Sequence, residues 1–330
     1  MADIKRKSLW NCPLSIGVSA LSALMADSAF AQPYPSKPIR LIVSTAAGSS
    51  PDISSRHLAP ELGRQMGQQV IVDNRPGASG IIAYEMLARA TPDGYTFGYI
   101  PNSFAANPSL FASLPYDTIK SFTPIILFGS SPNLLAVTPS LPVRSIKELV
   151  EHAKAKPGAL SYGATSYAAS GAFAMEQFKL VAGINVTLVS YKANQQAITD
   201  AIGGQIQLVC EPMSSILPHV KASRMRGLGV TSLKRAPTIP ELPTFDESGY
   251  TGFEVINWGG YAFPSRVSSN IVSRLNTEIN KALSNPASSK AIQDRGSRPE
   301  GGTPEHFATY IGKEIENWGK VAKAAGIKPQ

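Results

Sequence analysis

The sequence predicts an α/β fold built in two blocks. Short β-rich runs, such as Ile39–Val43 and Val186–Tyr191, alternate with segments whose apolar residues recur at helical spacing. Continuous apolar strands separated by helices indicate parallel strands covered on both faces. The alternation is interrupted twice, near Ser130-Ser131-Pro132-Asn133 and at Trp258-Gly259-Gly260-Tyr261-Ala262-Phe263-Pro264. We read these interruptions as two crossovers between lobes. Residues 1–31 are then a cleaved leader, 32–130 plus 258–330 one lobe, and 131–257 the other. One continuous sheet is the alternative that the pattern leaves open.

The leader is read from its own chemistry. Lys5, Arg6 and Lys7 precede an apolar run from about Leu14 to Ala26, and Ala29-Phe30-Ala31 is a small-x-small cleavage site. The apolar run is roughly 13 residues, short of the ~20 a spanning helix needs. An uncleaved anchor is the alternative. Cys12 leaves with the leader, so Cys210 is the one cysteine of the mature chain and no internal disulfide forms. Roughly 300 mature residues bury enough surface to be stable in an exported protein without such staples. The net charge of +8 is spread over scattered lysines and arginines. It can steer anionic solutes; no basic run interleaved with aromatics points to nucleic acid.

The elements follow in order. Ile39–Val43 is a strand, apolar apart from Arg40. Asp52–Met66 is a helix, with Leu58, Leu62 and Met66 four apart. Val70–Val72 is a strand, Ser79–Arg89 a helix and Thr96–Ile100 a strand. The second block opens at Ser145-Ile146-Lys147-Glu148, a capping box that starts a helix to about Ala155. Strands at Leu160–Tyr162, Val186–Tyr191, Ile206–Cys210 and Gly227–Thr231 then alternate with helices at Ser170–Val181, Gln195–Ile202 and Ser214–Ala222. Ile271, Leu275, Ile279 and Leu283 mark a C-terminal helix. Thr303-Pro304 caps the last one, striped by Phe307, Ile311, Ile315 and Trp318 and ended by Gly326.

The turn after the first strand carries the clearest chemistry. Thr45, Ala46, Ala47, Gly48, Ser49, Ser50 and Asp52 lie between a parallel strand and a helix N-terminus. Open α/β sheets bind ligands at the carboxyl ends of their strands. A helix's first turn offers free amides and the positive end of its dipole. Small residues let a ligand reach the backbone, and the hydroxyls of Thr45, Ser49 and Ser50 add further partners. An ordinary capped connection is the structural alternative. Ala164, Thr165, Ser166, Ala168, Ala169 and Ser170 occupy a second loop of the same kind; Asn102 and Ser103 follow the third strand.

Several phrases then accumulate in a fixed order: Asn74-Arg75-Pro76-Gly77-Ala78-Ser79-Gly80, Pro92-Asp93-Gly94-Tyr95-Thr96, Leu114-Pro115-Tyr116-Asp117, Tyr191-Lys192, Gly203-Gly204-Gln205, Leu217-Pro218-His219-Val220-Lys221-Ala222, Leu242-Pro243-Thr244, Gly301-Gly302-Thr303-Pro304-Glu305 and Trp318-Gly319-Lys320-Val321. Together they resemble the Bug family, the extracytoplasmic solute receptors of tripartite tricarboxylate transporters, over essentially the whole mature chain. The resemblance implies a two-lobed type II periplasmic-binding-protein fold. Its lobes would close on a small organic carboxylate and hand it to membrane permease subunits. It also implies a monomer in the periplasm, without cofactor or metal. The loop at Gly163–Ser170 would contact the far end of the ligand. Glu211 stands where the family often has aspartate; it would meet a ligand hydroxyl or amino group, or orient a loop. Ser44-Thr45 and Gly48-Ser49 depart from the family's proline-aromatic start and paired glycines, so specificity is to be sought there.

The same fold could present its closed form to a membrane signalling partner instead of a permease. An exported enzyme is a third possibility. It finds no H-E-x-x-H spacing, no G-x-S-x-G elbow and no phosphate loop in the sequence.

Overall fold

The computed structural model describes residue 2 and residues 34–329; the leader reading therefore lies, but for Ala2, outside the described residues. The first block runs β1 (Ile39–Val43), α1 (Ser50–Met66), β2 (Val70–Asn74), α2 (Ile81–Ala88), β3 (Thr96–Pro101) and α3 (Asn102–Leu110). β1 lies parallel between β2 and β3. Its apolar run is buried on both sides because α1 covers one face and α2 and α3 the other. Leu41 and Val43 join a core with Leu58 and Leu62, while Ile42 joins one with Tyr84 and Phe104. Arg40, the one polar residue of the run, is tied through Nε to Asp73 Oδ2 on β2 at 2.8 Å.

The chain then enters β4 (Phe122–Val137), α4 (Ile146–Ala155), β5 (Leu160–Ala164), α5 (Ser170–Ala182), β6 (Val186–Ser190), α6 (Asn194–Ile202), β7 (Leu208–Pro212), α7 (Met213–Lys221) and β8 (Arg226–Val230). It returns through β9 (Ile256–Pro264), α8 (Ser269–Ser284), α9 (Pro286–Gln293), β10 (Arg298–Gly301) and α10 (Pro304–Ala324). The strand order is β2-β1-β3-β9-β4-β7-β5-β6, with β8 and β10 also pairing with β4. β4 changes partners along its length: Phe122–Pro132 pairs with β9, whereas Asn133–Val137 pairs with β7 and β8. Each half of this curled sheet is covered on both faces. α4 and α5 contribute to one core and α6 and α7 to another in the second half.

Local sequence explains the boundaries. Ser145 Oγ accepts from Glu148 N at 3.1 Å, while Glu148 Oε2 accepts from Arg144 N, so the box closes one residue earlier than expected. Thr303 Oγ1 accepts from His306 N at the start of α10. The two interruptions in the alternation are themselves strands: the one near residues 130–133 lies inside the single long strand β4, and the one at residues 258–264 is the antiparallel strand β9. α3 is not among the expected elements; it begins at Asn102 with a polar start and contains Pro108. The two glycines of β9 are sterically required: a Cβ on Gly259 would fall 1.7 Å from Tyr99 Oη, and one on Gly260 2.3 Å from Phe307.

Candidate functional site

A cavity of about 560 Å³ opens where the two halves of the sheet meet. Its walls are the loops after the carboxyl ends of the six parallel strands, β1, β2 and β3 from one half and β5, β6 and β7 from the other. Each loop leads into a helix, and the residue preceding each helix lines the cavity: Ser49, Gly80, Pro101, Ala169, Ala193 and Pro212. None of the six caps its helix with a side chain. Of the four helices that start elsewhere, α4, α9 and α10 are capped by Ser145, Asn285 and Thr303. A helix N-terminus carries about half a positive charge and free N–H groups, which a cap would satisfy. Helix ends of this kind favour negative charge, and six of them border this one cavity.

The first loop is braced from behind. The Asp52 carboxylate accepts from Gly48 N at 2.9 Å, from Arg56 Nε at 2.9 Å and from Asn74 Nδ2 at 2.9 Å. Asn74 also donates to Thr45 O, and Thr45 Oγ1 lies 2.6 Å from Ser49 Oγ. Asp52 is buried and does not line the cavity; it shapes the loop that does. Ala164 likewise stands behind the wall, fully buried at the end of β5. The other residues singled out in the sequence all reach the cavity: Thr45 to Ser50, Asn102, Ser103, Thr165, Ser166, Ala168 to Ser170, and Glu211.

Not all of them have polar atoms to spare. Asn102 donates to Ile256 O and accepts from Trp258 N, so both ends of its amide clasp β9. Ser170 Oγ donates toward Asn133 Oδ1 and Asn257 Oδ1, at the place where β4 changes partners. Ser103 Oγ lies 2.8 Å from Tyr84 Oη, which also meets Ser44. Hydroxyls of Thr45, Ser49, Ser166 and Ser79 stand at the rim. Ser79 and Ser166 approach to 3.5 Å from opposite sides, and Ser214 Oγ reaches Ser50 Oγ at 3.1 Å.

Sequence reasoning missed two parts of the wall. Gly77–Gly80 is one; its residues all have positive φ, with Ala78 at 46° and Ser79 at 53°. The glycine-rich phrase after β2 carried the signal, since it has the same strand–turn–helix setting as the first loop. The other is Lys192 and Asn194 at the start of α6. Lys192 is the one lysine or arginine among the described lining residues, and Glu211 the one acid. Burial pushes the Glu211 carboxyl up to about 8, with the amide of Asn194 pulling the other way. The neighbouring Cys210 thiol is buried and driven well above its usual range, first by desolvation and then by Glu211. A thiol held neutral in this way is no nucleophile. No histidine lines the cavity, and no metal-binding cluster exists among the described residues.

The family model for the tripartite tricarboxylate transporter family receptor matches residues 54–327. The chain belongs to that receptor family. A UPF0065 protein of Pseudomonas sp. is 32% identical over 96% of this chain and 93% of its own length. BugT of Bordetella pertussis is 31% identical over 95% and 97%. Among solved structures, R. palustris Rpa4515 with adipate is 34% identical with a TM-score of 0.87, covering 90% of this receptor and all of that chain. The periplasmic binding protein BugD is 31% identical with a TM-score of 0.84, again over 90% of this receptor and all of its own chain. MatC from Rhodopseudomonas palustris with bound malate is 25% identical with a TM-score of 0.81, over 87% and 99%. The receptor has the two-lobed fold of these binding proteins, and its family is one of solute receptors.

Proposed function

We propose that this receptor captures a small organic carboxylate between its lobes in the periplasm and delivers it to a tripartite tricarboxylate-type permease. The observation that carries the reading is the set of six uncapped helix N-termini around one cavity. Backbone amides and hydroxyls from both sides would hold the carboxylate oxygens, with Lys192 at the mouth adding attraction. We assign residues 32–130 plus 258–330 to one lobe and 131–257 to the other. The partner change of β4 at Pro132 and Asn133 supports this division. Adipate and malate in the two relatives make short dicarboxylates the first ligands to try, and the cavity volume lies in the usual range for small-molecule sites.

The test is a thermal-shift screen of the mature protein against dicarboxylates, tricarboxylates, aromatic acids and acidic amino acids. A ligand at 100 times its Kd stabilises the fold by about 2.7 kcal/mol. A shift with a sugar or a cation and with no carboxylate overturns the reading. Delivery is tested separately, by uptake of the identified ligand into vesicles carrying the permease with and without the receptor.

A further inference from the structure

Glu211 is hard to reconcile with an anion site unless its proton is considered. It is 1% exposed, yet it forms part of the cavity wall at the carboxyl end of β7. Asn194 Nδ2 donates to its Oε2. Oε1 has no protein partner among the described residues and is the oxygen left for the cavity. No cation pairs with it: Glu211 forms no salt bridge among the described residues, and Lys192 is exposed at the mouth. The cavity wall offers no other charge among the described lining residues. β4 sets Leu134 beside it, and the start of α5 presents Ser170 and Gly171. From the loop before α6, Tyr191 turns its hydroxyl to Asp200. Cys210, next in the strand, is a neutral buried thiol.

A ligand ammonium could neutralise a buried carboxylate, but six positive helix ends oppose a cation here. We propose that Glu211 acts in the liganded cleft as a neutral carboxylic acid, with Asn194 holding one oxygen while the other donates its O–H to a carboxylate or carbonyl oxygen of the ligand. This rests on the carboxylate-capture reading and sharpens it: the far end of the ligand is an oxygen acceptor, and anion binding requires a proton on Glu211. Desolvation already favours that protonated form in the empty protein, pushing the carboxyl up to about 8. An anion placed against it favours the proton further. An ionised Glu211 would instead repel the ligand, so above about pH 8, where the empty protein has lost that proton, binding must take one up from solvent.

The experiment is calorimetric titration of the mature protein with adipate or malate from pH 6.5 to 9.5, beside the variant Glu211→Gln. Glutamine can accept from Asn194 and donate its own N–H into the cavity, mimicking the neutral acid. Wild-type affinity should stay level below about pH 8 and then fall about tenfold per pH unit as Glu211 ionises. Binding there should take up a proton, read from the dependence of the heat on buffer ionisation. The glutamine variant should bind within a few-fold of wild type at pH 7, stay level throughout and take up no proton. Affinity that stays level or rises with pH in the wild type overturns the proposal. So does a glutamine variant that folds normally but has lost affinity at pH 7. If neither protein binds any carboxylate at any pH, the capture reading itself fails, which is a different result from binding without proton uptake.

Discussion

Ala169 is a poor choice for the residue before a helix, and that makes it informative. Alanine cannot accept from the first free amides of α5, and giving up a serine, threonine or aspartate cap costs about 1 kcal/mol. Ala193, Pro212 and Pro101 make the same sacrifice at their helices, and Gly80 a smaller one. On the proposed function, a ligand anion would recover what the missing caps leave unmade. Ala169→Asp should therefore raise the melting temperature of the empty protein by a few degrees, since the new carboxylate caps α5 and meets its dipole. The same variant should lose most of its carboxylate affinity. Thermal unfolding and calorimetry on one sample read both effects, and unchanged affinity would show that this helix end does not hold ligand. Residue type alone did not reveal every role. Asp52 and Asn102 looked like binding groups, yet their polar atoms are spent on Gly48, Arg56 and Asn74, and on β9. Such roles depend on partners distant in sequence. Lys192 and Asn194 were passed over because neither glycine nor hydroxyl marked their turn.

Among the elements, the inner parallel strands β1, β3, β5 and β7 were legible because a strand covered on both faces is largely apolar, and the helices after β1, β5, β6 and β7 were legible from their helical spacing; α3 was not. β4 and β9 were not. Gly129-Ser130-Ser131-Pro132-Asn133 and Gly259-Gly260 break the apolar run where the strands bulge, cross and pack against Tyr99 and Phe307. Only the folded sheet shows that these small residues are there for close approach. The same holds for the junction of α5 with β7. A Cβ on Gly171 would fall 1.7 Å from Cys210 O, so the first turn of α5 rests directly on the strand that carries Glu211. Gly171→Ala should push these elements apart, destabilising the protein by about 1–3 kcal/mol, as overpacking does. It should also weaken ligand binding beyond what stability explains. Chemical denaturation and calorimetry would check this; a variant with wild-type stability and affinity would mean that the junction is looser than described.

At the scale of the molecule, the two halves of the sheet meet along β4 and touch again around the cavity. The Phe173 ring lies 3.7 Å from that of Trp318 on α10, and Ala168 packs into the core with Trp258, Phe307 and Trp318. Closure of the lobes over a carboxylate, as proposed, would remove water from the ligand and strengthen each backbone donor that faces it. The two-lobed design was visible in the sequence as two strand–helix blocks with two interruptions, and the family phrases ran through both. What the sequence could not show was the convergence of six uncapped helix ends, because that is a property of the assembled sheet.

Charge-selective capture by those helix ends is therefore the central claim, and calorimetric titration with adipate and with adipamide, its neutral diamide of similar shape, tests it most directly. The account predicts saturable binding of the dicarboxylate at neutral pH and at least a hundredfold weaker binding of the diamide, a difference of about 2.7 kcal/mol. Equal affinity for the two, or tighter binding of the diamide, would contradict it.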